Sequence, residues 1–118
     1  MSCAYRDLLV WQKSMALVKA IYHETRSFPK DELYGLSSQM RRAAVSVPCN
    51  IAEGQGRMSK KEFKQFLALS RGSFLELETQ LQIAADLGFL SADNAQQLIS
   101  KTGELLRMLN GLMGSLAR

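Results

Sequence analysis

SSQMRRAAVSVPCNIAEGQGRMSKKEFKQFLALSR, spanning Ser37 to Arg71, is the stretch whose reading decides the fold. Leu36, Met40, Ala43 or Ala44, Val47 and Ile51 recur at the spacing of one face of a helix. Pro48 lies inside that pattern and cannot donate a hydrogen bond to the Ala44 carbonyl, so a kink is expected there. One kinked helix is preferred to two short ones because the apolar register carries through from Val47 to Ile51. Asn50 is placed to bond the carbonyl that the proline leaves free. Gly54-Gln55-Gly56 closes the helix, since glycine takes the left-handed conformation at no steric cost. Ser59-Lys60-Lys61-Glu62 then reads as a capping box, with Met58 and Phe63 placed as a hydrophobic staple. The next helix continues through Phe63, Phe66 or Leu67, Ser70, Phe74, Leu77, Leu81 and Ala84, and Gly88 ends it.

Outward from this stretch, both flanks are helical. Upstream, Leu8, Trp11, Met15, Val18 and Tyr22 form one apolar stripe that stops near Phe28-Pro29, because a residue before proline disfavours helical geometry. Lys30-Asp31-Glu32 is a polar connection. Downstream, Ser91 is an N-cap with Asp93 in the first turn, where a negative charge favours the helix dipole. Leu98, Thr102, Leu105, Leu109, Leu112 and Leu116 follow, widened by Leu106, Met108 and Met113. Gly103, Gly111 and Gly114 either weaken this helix or permit close approach. The expected helices cover about 6–27, 34–54, 59–87 and 91–117, and the longest reaches roughly 40 Å. Short loops between helices of similar length make neighbours antiparallel. The expectation is an all-α, up-down-up-down antiparallel four-helix bundle, one domain over residues 1–118, with fraying at Met1–Ala4.

Charge singles out the same stretch. Its seven basic residues, Arg41, Arg42, Arg57, Lys60, Lys61, Lys64 and Arg71, face only Glu53 and Glu62, a net +5, while the remaining eight basic and nine acidic residues give −1. A localised excess of this kind suggests an anionic partner. Arg41, Arg57, Lys60, Lys61, Lys64 and Arg71 are the candidate nucleic-acid-binding residues, since Lys and Arg gain affinity for a phosphate backbone by releasing counterions. The alternative is a solvated face. Gln39, Arg42, Ser46, Asn50, Glu53 and Arg57 form a separate polar row. It reads as a ligand or RNA groove or, preferably, as structure: a subunit contact, or Arg42 and Arg57 pairing with carboxylates such as Glu53, Glu76 or Glu78.

The remaining features bound the function. No apolar run approaches the roughly 20 residues that span a bilayer, and no signal-peptide pattern opens the chain. Cys3 and Cys49 fit no metal or redox spacing, so a cytoplasmic protein with reduced thiols is expected. A di-iron bundle centre needs Glu-x-x-His pairs, but His23 is the only histidine and no glutamate stands three residues before it. Gly54-Gln55-Gly56 is too short for a phosphate loop and follows a helix. Catalytic residues, a metal and a cofactor are therefore not expected, and His23 is expected at the surface or its boundary. Leu8, Leu9, Val10 and Trp11 in succession exceed what one helix face can bury, and Leu106, Met108 and Met113 pose the same problem. Self-association is the preferred reading, with Trp11 at an oligomer interface, against scattered surface apolar residues.

The whole set of segments resembles a known family. Val10-Trp11-Gln12-Lys13, Glu32-Leu33-Tyr34-Gly35-Leu36, the run Ser38 to Pro48, Asn50-Ile51-Ala52-Glu53-Gly54, Lys61-Glu62-Phe63, Gly72-Ser73, Glu76 to Leu81 and Leu87-Gly88 occur in that order. Together they resemble the bacterial four-helix-bundle proteins named after intervening sequences in 23S ribosomal RNA genes, with Cys49 standing where serine is common. The resemblance implies a cytoplasmic homopentamer of four-helix subunits. It extends to the accessory variability proteins of diversity-generating retroelements, which are basic pentameric barrels that bind a reverse transcriptase and nucleic acid. If five copies assemble, the +5 segment becomes a ring of about +25. RNA or DNA is then the expected partner beside the chain itself, with a protein such as a polymerase or reverse transcriptase as the alternative.

Overall fold

A computed structural model describes residues 4–116. Cys3, the Met1–Cys3 part of the expected fray and the expected end of the last helix at residue 117 lie outside the described residues. Four helices account for most of the described chain: α1 Leu9–Thr25, α2 Leu36–Gln55, α3 Lys60–Asp86 and α4 Ala92–Leu116. Single 3-10 turns at Tyr5–Asp7 and Lys30–Glu32 lead into α1 and α2. The all-α bundle expected from the sequence is what the chain forms, and its long axis measures 45 Å.

Cross-helix contacts set the register. Between α2 and α3, Gly54 lies against Phe63 and Phe66, Val47 against Ser70 and Ser46 against Ser73, so numbers fall along one helix as they rise along the other. Lys13 with Glu104 and Glu24 with Asn94 give the same sense between α1 and α4. Arg71 with Asn110 and Glu78 beside Gly103 give it between α3 and α4. These neighbours therefore run antiparallel.

The core draws one row from each helix. Met40, Val47, Ile51, Leu67, Phe74, Leu77, Leu81 and Leu109 are sealed from solvent, as the α2, α3 and α4 patterns predicted. In α1 the expected stripe is the wrong one. Val10, Ser14, Leu17, Ile21 and Thr25 are buried, whereas Met15 and Tyr22 are exposed and Leu8, Trp11 and Val18 only half-buried. The buried row reads as interrupted because of its two hydroxyls. Each hydroxyl instead bonds its own helix: Ser14 Oγ donates to the Val10 carbonyl at 2.6 Å and Thr25 Oγ1 to that of Ile21 at 2.7 Å. A satisfied hydroxyl can be buried at little cost. Thr102 does the same toward Leu98 in α4.

Three local expectations are also corrected. Helix α2 runs unbroken through Pro48, but Asn50 Nδ2 donates to the Ser46 carbonyl at 2.8 Å and not to that of Ala44. Gly56 closes α2 with φ −74° and not in the left-handed region. Gly54 is required for space, because a Cβ there would lie 2.6 Å from Phe66 Cβ. The one left-handed residue described is Gly88, φ 79°, where Phe89 N–H donates to the Ala84 carbonyl and Gly88 N–H to that of Ala85. This is a Schellman end, and it turns the chain toward α4. Finally, Met58 is 98% exposed, so no staple forms; the Phe63 ring lies beside Gly54 instead.

Candidate nucleic-acid interface

Helix α3 begins where its capping signal places it. Glu62 N–H donates to Ser59 Oγ at 3.1 Å, and the Ser59 hydroxyl lies 3.3 Å from Glu62 Oε2. This cap fixes the first turn, which projects Lys60, Lys61 and Lys64. All three are exposed, and among the described residues none makes an ion pair or side-chain hydrogen bond. Lys60, Lys64 and Arg71, spaced four and seven apart, fall on one side of α3. Eleven residues of helix make that stripe about 16 Å long. At its far end Arg71 Nε donates to Asn110 Oδ1 on α4 at 3.2 Å.

The other candidate cations differ in their freedom. Arg57 Nη2 meets Glu53 Oε2 at 2.9 Å, and its guanidinium carbon sits 4.9 Å from the centre of the Phe66 ring. Both partners of this pair are about half exposed, so it is weak and leaves other guanidinium donors free. Arg41 does not belong to the cluster. It is half-buried against α1, donating to Thr25 Oγ1 at 2.8 Å with its guanidinium carbon 4.8 Å from the Tyr22 ring centre. Sixteen residues up α2 from Arg57, it stands about 24 Å away along the axis. Arg107, outside the basic segment and not among the candidates, lies one turn from Asn110, with Nη1 leaning toward Gly103 near Glu78.

The polar row divides in two. Gln39, Arg42 and Ser46 line an open cleft with Ser73 and Glu76 of α3. Ser46 Oγ lies 2.9 Å from the Ala43 carbonyl and 2.5 Å from Ser73 Oγ. With one proton, Ser46 donates to the Ala43 carbonyl and accepts from the Ser73 hydroxyl. Among the described residues Arg42 has no ion pair, contrary to the expected pairing, although Glu76 stands on the same cleft. Lower on α2, Asn50 bonds its own helix and Glu53 holds Arg57. Trp11 packs edge-on against Tyr5, 5.2 Å between ring centres, beside the α1–α2 groove.

The family model of the 23S rRNA-intervening sequence protein matches residues 6–111. The chain belongs to that family. No curated protein matches it. A crystal structure of a protein with unknown function from the S23 ribosomal protein family of Bacteroides thetaiotaomicron superposes with a TM-score of 0.80 at 18% identity, covering 89% of this chain and 98% of that one. At that identity the likeness concerns the fold.

In this member of the 23S rRNA-intervening sequence protein family, His23 and Cys49 are both exposed. Among the described residues no three His, Cys, Asp or Glu side chains gather where they could hold a metal ion. No described helix is long and apolar enough to cross a membrane.

Proposed function

We propose that this chain is a non-enzymatic, homo-oligomeric bundle protein, a pentamer as the family resemblance suggests, that binds RNA through the capped start of α3. The observation that carries this reading is the set Lys60, Lys61 and Lys64: three exposed cations, unpaired among the described residues, on a helix start that the Ser59 cap holds rigid. Cations already tied to carboxylates must first be released to neutralise phosphate, and these need not be. Arg71 and Arg57 extend the surface at either side. Binding is read as affinity against salt for RNA. Replacing Lys60, Lys61 and Lys64 by alanine is expected to lower the log–log salt slope by about 2 if each lysine meets one single-strand phosphate. An affinity that ignores salt, or is unmoved by the triple substitution, rejects the proposal.

A second reading, a scaffold that recruits a polymerase or reverse transcriptase, is supported by the opposite end of the bundle. There Leu33 and Tyr34 are 49% and 93% exposed, beside the acidic Asp31 and Glu32. A stoichiometric protein recovered with the tagged chain after nuclease treatment, and lost on Tyr34→Ala, favours this reading over the first.

A further inference from the structure

Besides Leu33 and Tyr34, two larger apolar surfaces are uncovered, on different parts of the bundle. One is a groove between α1 and α2, walled by Trp11, Met15, Val18, Val45, Pro48 and Cys49 and almost wholly apolar. The other is the outward side of α3, where Leu75, Ile83 and Leu87 are 40%, 42% and 58% exposed. A helix that only completes a bundle keeps its outward side polar. Here α1 and α3 each carry a second apolar row in addition to the one in the core.

The charges around the two surfaces are opposite. Lys19 and Arg26 continue the Met15–Tyr22 row of α1, four residues beyond Met15 and Tyr22, and both are exposed. On α2, Arg41 stands one turn before Val45 and leans toward α1 over the Tyr22 ring. At the other end of the groove Asp7 stands two residues from Tyr5, and Glu53 is already paired with Arg57. The ridge on α3 carries exposed Glu76 and Asp86, and no Lys or Arg occurs from Gly72 through Ser100.

We infer that the Leu75–Leu87 ridge of one copy seats in the α1–α2 groove of a second copy, with Glu76 and Asp86 meeting its basic rim. This rests on the homo-oligomeric part of the proposed function and assigns the contact. Groove and ridge are different patches, so the contact is heterologous: every copy in a pair still offers one free groove or ridge, and association continues until a ring closes.

The test uses two surface substitutions, Met15→Glu in the groove and Ile83→Glu on the ridge, with circular dichroism to verify that each stays helical. Light scattering is expected to find the wild type assembled and each variant alone at the monomer mass of 13.2 kDa. Mixed one to one, the variants are expected to form a species of twice that mass, since one intact ridge then meets one intact groove. A variant that keeps the wild-type mass overturns the assignment and leaves oligomerisation standing. Variants that stay monomeric when mixed overturn it too, because the intact ridge of one then fails to pair with the intact groove of the other. A monomeric wild type overturns oligomerisation itself and gives the groove to another partner. Alkylation of Cys49, which lines the groove, in a Cys3→Ser background reads its coverage directly. In the assembly it is expected to be slowed at least tenfold relative to either dissociated variant, and an equal rate in both overturns the inference.

Discussion

At Gly54 the identity of one residue decides how closely two helices approach. Alanine at an open helix interior position is favoured over glycine by about 1 kcal/mol. At Gly54 the added methyl would lie 2.6 Å from Phe66 Cβ and 3.1 Å from Phe63 Cδ1, and a Cβ cannot swing aside as a side-chain tip can. Forced overpacking costs about 1–3 kcal/mol, so the clash outweighs the propensity gain. Gly54→Ala is therefore expected to destabilise the protein by about 1–2 kcal/mol in denaturant unfolding at fixed protein concentration. Gly111→Ala, with nothing within 4 Å of its added carbon, serves as the control and is expected to be neutral or stabilising. A Gly54→Ala variant as stable as Gly111→Ala refutes the close-packing account. Gln80 presents the reverse case. It is buried at 5% exposure, and among the described residues its Oε1 has no hydrogen-bond partner. A buried acceptor left unmade costs about 1–3 kcal/mol, and methionine keeps the shape without the polar atoms. Gln80→Met is expected to raise the unfolding midpoint at unchanged m-value, and a lowered midpoint would show that the amide is satisfied after all.

At the scale of the element, legibility followed the number of apolar rows. Helices α2 and α4 and the core row of α3 carry patterns whose strongest face is also the buried one, and the sequence located them within a few residues. Helix α1 has two rows about 100° apart, and the richer one, with Trp11, Met15 and Tyr22, faces out. Bulk and hydrophobicity cannot separate a core row from an interface row when both must be apolar. The distinguishing sign was Ser14 and Thr25, whose hydroxyls can be satisfied within their own helix and so need not exclude a row from the core. The caps were legible for a different reason: Ser59 and Ser91 act on the next turn of the same helix, and sequence distance fixes that geometry. The candidate site was legible only in part. Lys60, Lys64 and Arg71 share a side because they share a helix. Arg41 looked like a member by charge alone, yet α2 runs antiparallel to α3 and carries it to the other end, against Thr25. Gly54 was correctly seen as special but for the wrong reason, since its constraint comes from Phe66 on a different helix.

Over the whole molecule, charge is graded along the 45 Å axis. The end formed by the α2–α3 turn carries Arg57, Lys60, Lys61 and Lys64 against Glu53 and Glu62, while the opposite end gathers Glu24, Asp31, Glu32, Asp86 and Asp93 against Arg26, Lys30 and Arg41. A single lysine cluster of this size binds a phosphate chain weakly, and several clusters held at fixed spacing bind one long strand by avidity. Assembly through the α3 ridge would supply that spacing. Ile83 lies 19 residues from Lys64, about 29 Å along the helix, so Ile83→Glu leaves the lysines untouched. Wild type is therefore expected to hold an RNA of about 40 nucleotides at least ~100-fold more tightly than one of about 8, enough for a single cluster. The Ile83→Glu variant is expected to bind the short RNA as the wild type does and to lose most of the preference for the long one. Fluorescence anisotropy on the two lengths, at one salt concentration, separates the outcomes. If the variant keeps the wild-type length preference, avidity does not come from this contact; if it loses the short RNA as well, Ile83 or its surroundings form part of the binding surface, and the separation of assembly from binding argued above is wrong.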